Sequence, residues 1–276
     1  MTSYKPVSVS LLSAGYSISK NFGLIYQMAK RDVVGRYKGS FFGLLWSFFS
    51  PLLMLGVYTF VFSVVFKARW GGAESTSSIH FSLLLFSGLL CHGLIGDVLN
   101  KSTDVILNNP NFVKKVIFPL EILPAVVVFS ALFQTSVSLC VLFVGLMWFG
   151  ESLHWTFLLT PIILFPLAIL CLGCGWFLAA LGVYIRDVSQ FIGILTTALL
   201  FLSPVFFPLE AIPEKYQPII LMNPLTFIIE QVREVALFGR LPNWEGLGYY
   251  LGCSSLISWI GFYVFQRTRK GFADVI

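Results

Sequence analysis

The chain has 276 residues, of which the hydrophobic set makes up 57% and Asp, Glu, Lys and Arg together only 11%, where an ordinary soluble domain carries about 25% charged residues. A soluble globule cannot cover its surface with so few charges, and 28 Phe, 7 Trp and 10 Tyr exclude disorder and collagen-like repeats. An integral membrane protein remains, and the net charge of +5 reads as membrane topology rather than nucleic-acid affinity.

In chain order, Met1 to Lys20 is polar and Ser-rich with no apolar core ahead of a cleavage site, so no signal peptide is expected. Residues 15–37 read as an amphipathic helix lying in the membrane interface. Ile18, Phe22, Ile25, Ala29 and Val33 fall on one face at helical spacing, with Lys20, Gln27, Lys30 and Arg31 mostly off it. A solvated leader is the plainer alternative, and the spacing weighs against it.

Charge-free runs occupy 41–66, 75–96, 122–150, 152–185, 188–209 and 246–266. Each exceeds the roughly 20 residues that carry a helix across hydrocarbon. Six spans are therefore expected, at 41–66, 80–100, 122–149, 156–184, 188–208 and 246–266. An even count puts both termini on one side. Lys5, Lys20, Lys30, Arg31, Arg36, Lys38, Lys101, Lys114, Lys115, Arg186, Arg267, Arg269 and Lys270 share that side, against Lys67, Arg69, Lys215, Arg233 and Arg240 on the other. The positive-inside rule then places both ends in the cytoplasm.

The loop after the second span holds a short helix, 109–118, with Asn109 as its expected cap, Pro110 at the first helical position and Pro119 ending it after Phe118. It reads either as an element that transmits force from a soluble partner or as a connector whose lysines enforce topology. Between the fifth and sixth spans, Asn223 and Pro224 open a second short helix and Gly239 closes it. Leu225, Ile228, Ile229, Val232 and Ala236 form its apolar stripe, and Glu230, Gln231, Arg233 and Glu234 are expected on its other faces. About 15 residues reach roughly 22 Å, too little to cross. With Pro-rich 204–218 this region reads as re-entrant, which favours a pore, over an ordinary external loop.

Catalytic signatures are missing. No Lys follows a Gly, so no P-loop ends here, and His-Glu-x-x-His, Asp-x-Asp and Gly-x-Ser-x-Gly do not occur. Cys171 and Cys174 have redox spacing, but their apolar, Gly-rich setting reads as helix packing. His92 is essentially the only ionisable group in the span interiors. Asp97, Glu121, Arg186 and Asp187 are assigned to capping and headgroup contacts at helix ends. Such poverty argues against proton or sodium coupling, so energy, if used, must come from another subunit. In the first span Phe42, Trp46, Phe49 and Phe60 share one face, and Tyr58, Phe62 and Phe66 another. Such rings can stack on sugar C–H faces while a repeating chain slides past. From the residues alone, packing and lipid contact account for them better.

Several strings together resemble the membrane subunits of type-2 ABC exporters that move bacterial polysaccharides. They are Lys30–Ser40 running into Gly43-Leu44-Leu45-Trp46 and Ser50-Pro51-Leu52, then Asn109–Pro124, Leu181–Val188, Ser203–Pro208 and Asn223-Pro224-Leu225. The chain is most similar to O-antigen export permeases of Gram-negative bacteria, with capsule and teichoic-acid permeases as near relatives. The resemblance implies an all-α integral membrane fold of six spans in a homodimer. Each copy would sit on one of two cytoplasmic ABC ATPase subunits that bind ATP and Mg, with no cofactor in this chain. It assigns 15–37, with Lys30, Arg31, Arg36 and Tyr37, to the interface helix. It assigns 109–118, with Asn109, Pro110, Asn111, Phe112, Lys114 and Lys115, to the coupling helix. The region 209–240, together with Pro208, Asn223, Pro224, Glu230 and Arg233, becomes the periplasmic gate. Trp46, Phe49, Tyr58, Phe206 and Phe207 are nominated to line the channel, against the simpler packing account.

The activity so implied is export of a polyprenyl-linked polysaccharide through the bacterial inner membrane, amid membrane lipids and without nucleic acid. Rival readings are a type-2 exporter of drugs or small lipids, a membrane glycosyltransferase, which lacks the acidic soluble loop it would need, and a passive channel.

Overall fold

A computed structural model describes residues 11–66, 78–114 and 118–276 of the chain; among them there is helix and no strand. The order is α1 (Leu11–Lys20), α2 (Phe22–Arg36), α3 (Trp46–Tyr58), α4 (Ser78–Asp104), α5 (Pro110–Lys114), α6 (Ile122–Trp148), α7 (Thr160–Tyr184), α8 (Val188–Phe201), α9 (Gln217–Leu221), α10 (Pro224–Ala236), α11 (Trp244–Thr268) and α12 (Phe272–Val275).

The centre is a slab of α4, α7 and α11, drawn together by glycine. A Cβ on Gly173 of α7 would lie 2.5 Å from Cα and 2.7 Å from N of Ser258, and one on Gly261 of α11 would fall on the Gly173 carbonyl. On the opposite side of α7, a Cβ on Gly182 would fall on the carbonyl of Thr103 in α4. Small residues let backbones approach in this way where hydrocarbon offers no hydrophobic drive between helices. Around the slab, Leu83, Leu84, Leu94 and Val98 of α4 pack with Val141, Leu142, Ile163 and Leu167 in one apolar cluster. A second cluster gathers Ile25, Ile106, Ile122, Trp176, Phe265 and Phe272 at the end of the bundle that carries α5.

The α3 segment is helical over Gly43–Val65 in three forms, a 3₁₀ turn at Gly43–Leu45, the α-helix, and a π-helical stretch at Thr59–Val65. Pro51 lies inside it and has no N–H to offer the Ser47 carbonyl. Gln134 of α6 fills that gap, its Nε2 donating to Ser47 O at 3.1 Å.

Four described stretches are long and apolar enough to cross a membrane, Gly43–Phe62, Phe81–Asp104, Ile122–Trp148 and Trp155–Tyr184. The expected span at 246–266 is the 25-residue α11, of sufficient length but diluted by Gly, Ser, Glu245 and Arg267. Within the expected span 188–208 the helix is shorter than the charge-free run. Helix α8 stops at Phe201 after 14 residues, about 21 Å, because the chain is drawn out of the helix at Ser203-Pro204 and held elsewhere.

The expected single interface helix, 15–37, is corrected. It begins at Leu11 and divides at Asn21, whose Nδ2 donates to Ser17 O at 2.8 Å. On the expected apolar face Ile25, Ala29 and Val33 are buried against protein, whereas Phe22 is half exposed. Phe22 meets Phe129 of α6 edge-on at 5.7 Å, and Ser130 Oγ reaches Ala29 O at 3.5 Å. Periodicity reports that a face is apolar, not what covers it.

Candidate functional site

Three groups of side chains follow from this frame. The first surrounds α5. Pro110 opens α5 as expected, and the described part of the helix is Pro110–Lys114; residues 115–117, including Lys115, lie outside the described residues, and Phe118 is not helical. Asn109, the expected cap, precedes Pro110. Its Nδ2 turns back to Val105 O at 2.8 Å, so α5 is tied to the end of α4. Phe112 stacks on Phe118 with centroids 4.3 Å apart, while Asn111 and Lys114 are exposed.

Beside α5 stands Glu121, which sequence reasoning assigned to headgroup contact. Its Oε2 accepts from Arg269 Nη1 at 3.0 Å and its Oε1 from Ser17 Oγ at 3.1 Å. Its main-chain carbonyl accepts from Trp176 Nε1 at 2.8 Å. One residue thus joins α1, α7, the start of α6 and the turn after α11. Asp97 is likewise an ion-pair centre, 2.7 Å from Lys101 Nζ and 3.4 Å from Arg36 Nη1. Arg36 also reaches Asp32 at 2.9 Å, and Tyr37 donates to Gln134 Oε1 at 3.4 Å. Lys30 and Arg31 are exposed beside them.

The second group is aromatic, and one chain does not bring its five nominated members onto one face. Trp46 and Phe49, 36% and 38% exposed, cluster with Phe42 at 5.7 and 5.8 Å. Tyr58 lies about a third of a turn round the helix. It lines a crevice of about 270 Å³ between α3, α4 and α6, together with Ser50, Asp97, Gln134, Thr135 and Ser138. Phe206 stacks on Phe201 at 5.7 Å and on Phe62 of the π-helical stretch at 6.5 Å. Phe207 is half-buried next to it. His92, the expected lone intramembrane ionisable group, bonds through Nε2 to the Thr196 carbonyl of α8 at 2.9 Å.

The third group is α9–α10 at the far end of α4. Asn223 is the expected N-cap, its Oδ1 accepting from Leu225 N at 2.9 Å, and Pro224 is the first helical residue. Gly239 takes the left-handed φ of +69, and a Cβ there would strike the His154 ring. The stripe Leu225, Ile228, Ile229, Val232 and Ala236 is fully buried. Pro208 stands extended before the 3₁₀ turn Leu209–Ala211.

Arg233 departs from the expected polar face. It is 1% exposed, with Nε and Nη2 at 3.3 and 3.2 Å from Leu84 O of α4. Nη2 also lies 3.2 Å from Val205 O, and Nη1 is 2.9 Å from Glu230 Oε1. Asn223 Nδ2 reaches the same segment at Leu202 O and Ser203 Oγ, 3.1 and 2.9 Å away. These two side chains hold residues 202–205 off the end of α8, where Pro204 has already ended the helix. Their partners are mostly carbonyls far along the chain, so no spacing in the sequence announces them. Among the described residues no group of His, Cys, Asp and Glu is placed to hold a metal ion, and the five cysteines are free thiols.

The sequence profile described as "ABC-2 type transporter" matches residues 23–237, a stretch that contains the second group and all of the first and third but Ser17, Gly239 and Arg269. The chain is 28% identical over 256 residues to an O-antigen export system permease protein RfbA of Myxococcus xanthus, covering 92% of this chain and 95% of the relative. It is 26% identical over 267 residues to a protein of the same name from Klebsiella pneumoniae, covering 96% and 99%. A polysialic acid transport protein KpsM of Escherichia coli is 24% identical over 247 residues, covering 87% and 91%.

Proposed function

The chain belongs to the ABC-2 type transporter family, and from that premise we propose that it is the membrane subunit of an exporter moving lipid-linked polysaccharide, polyprenyl-linked O-antigen of lipopolysaccharide, across a bacterial inner membrane. The observation that carries this reading is the nearly end-to-end alignment with relatives named as O-antigen export permeases. The polysialic acid transport proteins among the relatives favour a second reading, a capsular polymer as cargo.

In this proposal the chain crosses the membrane six times, with α8 and α11 as the fifth and sixth spans. The short α8 is completed by the 202–208 segment, whose irregular backbone is tolerated because protein covers it. The basic end with α5, α1 and Arg269 faces the cytoplasm. ATP is hydrolysed on two copies of a separate ATPase, whose closure presses on α5 and its neighbours Asn109, Pro110, Asn111, Phe112, Lys114 and Lys115. A second copy of this chain completes the channel. Support for that copy comes from α3, which leaves Leu45, Trp46, Phe49, Leu53, Val57 and Phe60 exposed along one side. Trp46, Phe49, Tyr58, Phe206 and Phe207 offer ring faces to the passing polymer, and the 208–240 region closes the outer end.

Deletion of the gene tests this directly, scoring surface polysaccharide against lipid-linked polymer retained in the cell. Loss outside with accumulation inside is expected. Loss outside with no internal polymer would move the chain to synthesis, and no change in either pool would overturn the polysaccharide cargo.

A further inference from the structure

Arg233 is a charged side chain sealed inside a chain that carries few charges, and an ionisable group at such a place is a functional candidate by default. Its geometry is two-ended. On one side it holds Leu84 O of α4 with two donors at 3.3 and 3.2 Å, and on the other it holds Val205 O at 3.2 Å. Only a guanidinium presents enough donors in a fixed fork to bridge two carbonyls while its remaining nitrogen meets Glu230. The junction has no slack. A Cβ on Gly88, one turn further along α4, would lie 3.2 Å from Val205 Cα and 3.3 Å from Arg233 Nη2.

What hangs from the junction is aromatic. Phe206 follows Val205 directly, and its ring stacks on Phe201 and Phe62, at 5.7 and 6.5 Å. What drives the junction is α4, a helix of 27 residues, about 40 Å long. Its far end leads through Val105–Asn109 into α5, with Asn109 Nδ2 bonded back to Val105 O. An intact helix passes an axial or rocking displacement from one end to the other, and the Arg233 fork converts displacement at Leu84 into displacement at Val205.

We propose that Arg233 is a positioning residue that gears the aromatic step at Phe206 to the position of α4, so that a stroke received at α5 opens or closes that step. The inference rests on the reading of α5 as the element a partner ATPase acts on. Leu84 and Val205 stay joined through the stroke, because separating them would strand two buried carbonyls without donors. Phe206 therefore travels with α4, as does Phe62, whose ring lies 5.4 Å from Phe81 of α4, and it moves against Phe201 at the end of α8.

The test is thiol cross-linking between Phe201→Cys and Phe206→Cys, scored by mass, in membranes that hold the chain with its ATPase. Cys140, Cys174 and Cys253 are replaced by Ala, whereas the buried Cys91 and Cys171 remain. Yield from a short bis-thiol reagent is compared with and without a non-hydrolysable ATP analogue and Mg. With Arg233 present, the yield should change between nucleotide states. In Arg233→Met it should be the same in both states, with ATP hydrolysis retained and polymer export reduced about fivefold or more. Arg233→Lys, which keeps the charge but loses the fork, should behave like Arg233→Met and serves if the Met variant fails to insert. A nucleotide-dependent yield that survives in both variants overturns the proposal, as does a nucleotide-independent yield with Arg233 in place. A chain that exports no polymer but shows the Arg233-dependent shift breaks the polysaccharide reading and leaves the relay standing.

Discussion

Glu121→Leu tests the ion-pair hub at the α5 end most sharply. Both partners of the Glu121–Arg269 pair are 12% exposed, and the carboxylate also serves Ser17. Deleting one member of a buried pair costs roughly 3–5 kcal/mol. The lower end applies here, about 3 kcal/mol, because Gln266 Oε1 stays 3.0 Å from Arg269 Nη1 and shares its charge. Trp176 keeps its bond, which goes to the main-chain carbonyl. At roughly 2–4 °C per kcal/mol for chains of 150–250 residues, the thermal midpoint should fall by about 6–12 °C. Adding Arg269→Leu removes the remaining charge, and since apolar replacement of a whole buried pair is often neutral, the double variant should recover most of the loss. The assay is thermal unfolding in detergent followed by near-UV circular dichroism. A single variant within about 1 °C of wild type, or a double variant less stable than the single, would refute the reasoning.

Gly173→Ala should force α7 and α11 apart, because the new methyl meets Ser258 main chain at 2.5 and 2.7 Å; a loss of about 1–3 kcal/mol or more is expected in the same assay, with Gly93→Ala, which meets nothing within 4 Å, as the neutral control. Lys114→Glu combined with Lys115→Glu should lower export about fivefold or more at unchanged membrane abundance, measured as surface polymer per copy of protein; unimpaired export would remove α5 from the coupling path. Trp46→Ala with Phe49→Ala should slow export without lowering the thermal midpoint, since both rings are partly exposed; wild-type export rates would return them to lipid contact.

How much of this was legible in the sequence depends on the distance over which each feature is encoded. In α10, the Asn223 cap, Pro224 and the apolar stripe are all local, and each stands where the spacing places it. Gly239 was readable for the same reason, as a left-handed turn needs a residue without a Cβ. The end of α8 had a local signal that the charge-free run to Leu209 masked, since Pro204 has no N–H for the Leu200 carbonyl and disfavours helix at Ser203. What was not readable is where the released segment goes, because Asn223 and Arg233 hold Leu202, Ser203 and Val205 from later in the chain. Glu121 and Arg269 lie 148 residues apart, and nothing in either neighbourhood marks the other. The bond Asn109 Nδ2 donates to Val105 O, one turn back, was not readable either, because the cap spacing concerns only its Oδ1.

The division between tight and loose packing limits which parts can move. Helices α4, α7 and α11 touch backbone to backbone at Gly173, Gly182 and Gly261, and close-packed interfaces of that kind do not deform continuously. The slab must therefore move as a body, while change in shape falls to the helices joined to it by side chains alone. Helix α8 is one, bound to α4 through His92 and Asn100 on Thr196; along it runs an apolar groove of about 890 Å³ bounded by α4, α7 and α11. The α3 segment is the other, softened by Pro51 and by its π-helical end, where hydrogen bonding departs from the α pattern. Of the rings proposed for the channel, Trp46, Phe49 and Tyr58 lie on α3, and Phe206 and Phe207 follow the end of α8. Ring faces that must release as well as contact a sliding chain belong on movable helices, and the charged residues that set the rigid parts lie at Glu121 and Arg233, towards its two ends.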